Sequence, residues 1–239
     1  MDAFRHGIAC RTQMLELDCR LTKDLQVAVF HDESLDRCTG CPGKISDYTY
    51  DSLPCYLQTL PVHFEPGCVC DRTDLPPSPI VLLQDIFEAF PQMPINIDLK
   101  VDDDRLVKLV SSLITKYKRE RLTVWGSMRR VTTLKCKRAN SSVLTYPPPG
   151  VVIGYLIAYR IGLLPFLPIP YDCFELPLVS VLRSKRFLES TGWNSFSARI
   201  FALVVDFLIS SRGLIHHLKL RGIPEGGTLS SQFACTSGG

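Results

Sequence analysis

Glu16 and Asp18 stand one residue apart in Met14-Leu-Glu-Leu-Asp-Cys-Arg-Leu-Thr-Lys-Asp24; His31 and Asp32 follow, and Asp98 and Lys100 lie far downstream in Ile95-Asn-Ile-Asp-Leu-Lys. Side chains at i and i+2 of a strand share a face. Glu16 and Asp18 would therefore project together while Leu15, Leu17 and Cys19 pack behind them. Two acids on one face repel unless a cation sits between them. The alternation in the downstream segment places Asn96, Asp98 and Lys100 on one face as well. Three carboxylates, an imidazole and an ammonium then come from separate strand ends. Hard oxygen donors of this kind suit Mg²⁺ or Ca²⁺, and a cation beside a lysine is a receptor for a phosphate oxygen. Taken singly, each pair reads more simply as a strand end reaching solvent; it is the set that reads as a site.

Strands and helices must hold these groups. Val27-Ala-Val-Phe30 is a short apolar run that stops on His31 and Asp32. Strands are expected near 14–18, 95–99, 121–125, 142–146 and 173–177. Between 80 and 120 the period is helical: Leu82, Leu83, Ile86, Phe87 and Phe90 recur before Pro91. Leu106, Leu109, Val110, Leu113, Ile114 and Tyr117 recur after Asp102-Asp-Asp104. Consecutive residues on a helix point in different directions, so the three acids read as a helix start rather than a metal cluster.

From about 38 to 79 the chain is rich in Pro, Gly and Cys and reads as an inserted region. Its Tyr48, Tyr50, Leu53, Tyr56, Leu57, Leu60, Val62 and Phe64 either face a lipid chain or pack a lid against the main body. Cys38-Thr-Gly-Cys41 and Cys68-Val-Cys70 match a zinc ribbon poorly, since that needs two well-formed pairs. No signal-peptide pattern opens the sequence, so the ten cysteines are expected to be scattered, reduced and structural.

Val151 to Ile169 is the most membrane-like stretch, yet Arg160 interrupts it and Pro165 and Pro168 break its end. It reads as an interfacial hydrophobic hairpin or a buried helix rather than a spanning one. Ile200 to Ile209 reads as a second apolar helix, with Asp206 against a span. His216 and His217 read as a helix-end region. A formal net charge of +3 speaks against a strongly electrostatic nucleic-acid binder. No nucleic acid is expected as a partner.

The Glu-Leu-Asp, the following His-Asp and the later Asp-Leu-Lys together resemble the glycerophosphodiester phosphodiesterase family. Met14 to Asp24, Leu122-Thr-Val-Trp-Gly126 and Gly162-Leu-Leu-Pro-Phe-Leu-Pro-Ile169 look like its membrane-associated, lysophospholipase D-like branch, over about residues 1–223. The resemblance implies an α/β fold of TIM-barrel type. It also implies metal-dependent hydrolysis of glycerophosphodiesters or lysophospholipids, in lipid metabolism. Glu16, Asp18 and Asp98 match the metal ligands (Asp98 where a glutamate is usual), for Mg²⁺ or Ca²⁺. His31 matches a general acid toward the leaving alkoxide, and Lys100 a residue beside the phosphate.

The family's His-Arg-Gly and Glu-Asn-Thr motifs have no counterpart here, and Pro224 to Gly239 lacks strand or helix period. The expectation is therefore a barrel without its first strand and last two strands, a disordered or altered tail at 224–239, and weak or absent turnover. A noncatalytic membrane- or lipid-binding remnant is the alternative. Attachment to a membrane surface, at its cytoplasmic face or at the endoplasmic reticulum in a perinuclear position, completes what the resemblance implies.

Overall fold

The computed structural model describes residues 1–61, 68–71, 73–174 and 212–223, with Ser197, Ile200, Leu203 and Val204. Its centre is a five-stranded sheet in the order β2-β1-β5-β6-β7. These strands are β1 (Leu15–Leu21), β2 (Val27–Val29), β5 (Ile95–Leu99), β6 (Thr123–Gly126) and β7 (Leu144–Thr145). β1, β5, β6 and β7 run parallel, and β2 returns antiparallel along the end of β1, Cys19 opposite Val29. Parallel neighbours need crossovers, which helices supply. These are α3 (Leu83–Ala89) before β5, α4 (Asp104–Lys116) before β6 and α5 (Arg130–Ala139) before β7. The repeating strand and helix are the unit of a β/α barrel, here present as an open sheet among the described residues.

One face of each strand is apolar and packs on the helices. Leu15, Leu17, Cys19, Ile95, Ile97, Leu99 and Trp125 form one cluster with Phe87, Leu106, Val110, Ile114 and Cys136. At about 25 cal/mol per Å² of apolar surface, this burial is the main force holding the sheet. Four of the five expected strands are present; of the fifth, only Cys173 and Phe174 are described, and their segment bonds to Thr145 through the Asp172 and Cys173 amides. The two helices expected between 80 and 120 are also found. Asp103 caps α4 by accepting from the Arg105 amide at 2.8 Å, and Asp102 accepts from Thr132 and Lys135 of α5, so the acidic triplet is structural.

The inserted region holds α2 (Asp36–Thr39), two single 3-10 turns and a small antiparallel pair, β3 (Thr59–Pro61) with β4 (Val69–Asp71). Tyr48, Tyr50, Leu53, Tyr56 and Leu60 pack onto Phe30, Leu35, Ile45, Ile80 and Leu82. These residues therefore cover the end of β2; Leu57 remains exposed, and Val62 and Phe64 lie outside the described residues. α6 (Pro149–Arg160), its following 3-10 turn (Leu164–Phe166) and α7 (Arg212–Leu220) form a second apolar cluster around Val152, Leu156, Leu164, Phe174, Leu214 and Leu218. His217 lies in α7 beside the Tyr159 ring. No helix among the described residues is long and apolar enough to cross a membrane. The tail from 224 and nearly all of 200–209 lie outside the described residues. α1 (Asp2–Ala9) opens the chain and lays Phe4 and Ile8 against the main core.

Arg119 fixes where β5 begins. Its buried guanidinium donates to the carbonyls of Phe90 at 3.0 Å and Pro91 at 2.8 Å, and also to Met93. It stacks 4.7 Å from the Phe87 ring centroid. Burial pulls its pKa down to about 10, a sign that its charge is held by dipoles and not by a carboxylate. Arg119→Met leaves those carbonyls without their donor, and urea denaturation is expected to show a loss of about 2–3 kcal/mol.

Candidate active site

The face of the sheet opposite the core carries the polar residues. β1 buries Leu15, Leu17, Cys19 and Leu21 and turns Glu16, Asp18 and Arg20 the other way. Pairing with β5 is in register: Glu16 opposite Asn96, Asp18 opposite Asp98. Two carboxylates are thereby placed side by side on neighbouring strands. Between them stands the Lys100 ammonium, 2.9 Å from Asp18 Oδ1 and 2.6 Å from Asp98 Oδ2. Burial works against the charged lysine, and hydrogen bonds to Asp98 and Asp18 outweigh it, so its pKa stands above the ordinary value. The same burial, with Asp18, Asp98 and Glu16 nearby, pushes the Cys19 thiol up. Cys19 therefore stays a neutral packing residue.

Beside Asp98 in the next strand is Gly126. A Cβ there would lie 2.8 Å from Cζ of Tyr146, so the glycine is what lets the Tyr146 ring pack against this stretch of β6. Sequence reading passed over both residues.

His31 and Asp32 follow β2 immediately. The Phe30 amide donates to the Asp18 carbonyl at 2.9 Å, and Arg20 Nε donates to the His31 carbonyl at 2.9 Å. These two bonds tie the histidine's backbone to β1. Its Nδ1 lies 2.6 Å from Asp32 Oδ1, while Asp32 Oδ2 accepts from Arg37 Nε at 2.6 Å. The Arg37 hydrogen bond, with that from His31, holds the Asp32 carboxyl at about 2, against the cost of burial. An ionised carboxylate only accepts, so Nδ1 carries a hydrogen toward Asp32. Arg37 was not expected, and Asp32 had been seen only as His31's neighbour. The Arg20 guanidinium is held below its ordinary pKa by burial, opposed by Glu33, Asp32, Asp18 and Asp98.

Oxygen donors from Asp18 and Asp98 match the chemistry of a hard divalent ion, and Asp98 Oδ1 is buried with no hydrogen-bond partner among the described residues. That orphaned oxygen fits a cation. In this arrangement the ammonium takes the cation's place. No three His, Cys, Asp or Glu side chains among the described residues converge as a metal site, and Glu16 lies one tier back, opposite Asn96.

Comparison with known proteins bears on what such a site belongs to. Residues 1–145 match the glycerophosphoryl diester phosphodiesterase family. The chain belongs to that family, a class of phosphodiesterase enzymes. Human lysophospholipase D GDPD1 is 42% identical over 223 residues, covering 93% of this chain and 69% of the relative. Human lysophospholipase D GDPD3 is 33% identical, covering 93% and 68%. Among solved structures, a glycerophosphoryl diester phosphodiesterase domain from Mycobacterium tuberculosis aligns with a TM-score of 0.63 at 17% identity, over 74% of this chain and 64% of that one. A glycerophosphodiester phosphodiesterase from Agrobacterium tumefaciens aligns at 0.53 and 16%, over 82% and 76%. These likenesses establish the TIM-barrel-type fold, of which the open sheet is a part.

Two outcomes test the geometry. Asp32 has a folded pKa of about 2, below its ordinary 3.8. It therefore contributes stability above about pH 4 that is lost as pH falls through about 2, on the order of 1–2 kcal/mol after solvent screening. Asp32→Asn lacks that contribution. The gap between wild type and variant in chemical denaturation is expected to be flat above pH 4 and to close below it. Lys100→Met leaves Asp18 and Asp98 facing each other without a counter-charge. In EDTA it is expected to unfold about 2–4 kcal/mol more easily, and millimolar Mg²⁺ or Ca²⁺ should recover part of the loss. Stability indifferent to both changes would remove the ammonium from its assigned role.

Proposed function

We propose that this chain hydrolyses glycerophosphodiesters or lysophospholipids, in the manner of a lysophospholipase D, with a divalent metal as cofactor. The observation that carries this reading is the joining of the Asp18–Lys100–Asp98 cluster to an Asp32-oriented histidine across one strand pair. Family membership and the names of the relatives support the substrate class.

Glu16, Asp18 and Asp98 are the groups that would hold Mg²⁺ or Ca²⁺. When bound, such an ion polarises phosphoryl oxygens and stabilises charge in the transition state. Lys100 would then exchange its carboxylate contacts for a phosphate oxygen. His31 does the proton chemistry. With the ring doubly protonated, its Nε2 delivers a proton to the departing alkoxide as that P–O bond breaks, while water forms the new P–O bond and gives up a proton to solvent, a general-acid role that imidazole often fills. Asp32 fixes the ring and Arg37 fixes Asp32.

The reading extends to a membrane surface. α6 and its 3-10 turn expose Ile153, Ile157, Ile161, Leu163 and Phe166, the last 82% exposed. A mainly apolar face of this kind, interrupted by Arg160, suits partial burial at a lipid interface and supports the proposed attachment to a membrane surface, for which the family resemblance suggests the cytoplasmic face or the endoplasmic reticulum. The same face also favours a second reading, lipid binding without turnover. Incubation with lysophosphatidylcholine and Mg²⁺ or Ca²⁺ separates the two. Choline release is expected from wild type and to fall at least about 100-fold in His31→Ala, the scale of general acid catalysis. Release that is absent, or equal in both proteins, sides with lipid binding alone.

A further inference from the structure

The register that sets Asp18 beside Asp98 continues one step outward. Cys19 pairs with Leu99, and the Lys100 amide still donates to the Cys19 carbonyl at 3.3 Å. The next residues up the two strands are therefore Arg20 and Lys100. Because side chains alternate, Arg20 shares its face with Glu16 and Asp18. The polar face is thus tiered: Glu16 with Asn96, then Asp18 with Asp98, then two cations at the C-terminal lip. In parallel α/β folds that lip is where ligands bind.

The two cations are used differently. Lys100 turns back onto the carboxylates. Arg20 spends only Nε, on the His31 carbonyl. Its nearest acids by electrostatic influence are Glu33, Asp32, Asp18 and Asp98, yet among the described residues none of them receives a hydrogen bond from it. Asp32 is already held by Arg37 and His31, Glu33 by Lys44 at 2.6 Å, and Asp18 and Asp98 by Lys100. The acids around Arg20 are thus spoken for by other cations. Its Nη groups are what remains.

We propose that Arg20 is a phosphate-binding residue of this site, its two Nη groups taking the non-bridging oxygens of the phosphodiester. The proposal rests on the phosphodiesterase reading above and adds the residue that receives the anion. A guanidinium presents a planar fork that matches two phosphate oxygens, which a lysine point charge cannot do. The Nε bond fixes the fork on the main chain of the residue that donates the proton. Phosphate and general acid are thereby held at a set spacing, the kind of positioning that lowers a barrier by orientation. The ligand chemistry that fits is a phosphodiester monoanion.

Calorimetric titration of glycerophosphocholine into the full chain at low salt tests this. Arg20→Met is expected to weaken binding by about 10- to 100-fold, the range for hydrogen bonds to a charged group. Arg20→Lys keeps the charge and removes the fork together with the Nε bond to the His31 carbonyl, so it should weaken binding by about 3- to 10-fold, with a thermal midpoint near wild type. Wild-type affinity in both variants, alongside lost binding in Lys100→Met, would overturn the role of Arg20 and leave the phosphodiester site standing. Failure of wild type itself to bind would overturn both.

Discussion

The pairing of Asp18 with Asp98 constrains everything built above it. Neighbouring strands lie about 4.8 Å apart. Two carboxylates at that spacing repel by about 3 kcal/mol at an effective dielectric near 20. Adjacent apolar pairs fix the register, because a one-residue slip would turn Ile95, Ile97 and Leu99 away from the helices. The repulsion is therefore built in by the core and has to be answered by a cation. Lys100 answers it from the end of the same strand. Stability and ion chemistry are coupled at this point: whatever displaces the ammonium must bring its own positive charge.

The second half of the site depends on the first through main-chain bonds. Phe30 reaches the Asp18 carbonyl and Arg20 reaches that of His31, so the histidine's position is inherited from β1. The inserted region strengthens this from outside. Phe30 lies among Leu35, Ile45 and Ile80, with Tyr56 tilted against its ring at 5.9 Å. Aromatic residues that could have faced a lipid chain instead hold down the residue before His31. The insertion acts on the site by packing.

Much of this was legible in the sequence because short-range periodicity encodes it. Alternation in β1 and β5 revealed which carboxylates share a face, and the Asp102–Asp104 triplet read correctly as a helix start because acids favour a first turn. Other features depend on which strands become neighbours. Nothing local shows that Lys100 bridges two acids from different strands, or that Arg37, five residues beyond Asp32, turns back to it. Arg20 is a different case. Its place in the alternation Glu16, Asp18, Arg20 was visible, but a basic residue after two acids looks like simple neutralisation until the other acids are seen to have partners of their own. The antiparallel return of β2 was likewise hidden in a run of four apolar residues, too short to state a direction.

Topology also separates the two surfaces that a lipid could meet. Asp98 lies beside the C-terminal end of β5, with Asp18 opposite it and Lys100 just beyond. α6 leaves β7 at that end and, like any crossover helix, runs back along the sheet. Its last turn, Ile161, Leu163 and Phe166 are therefore carried toward the opposite end. A bilayer touching Phe166 does not by that contact bring headgroups to Lys100. Under the proposed attachment and substrate binding, anchoring and substrate entry would be independent problems: the apolar turn would set where the protein resides, and the tiered cations what it receives. A lysophospholipid, one of the proposed substrates, would suit that separation, since it leaves a bilayer more readily than a two-chain lipid, each buried methylene adding about 0.8 kcal/mol.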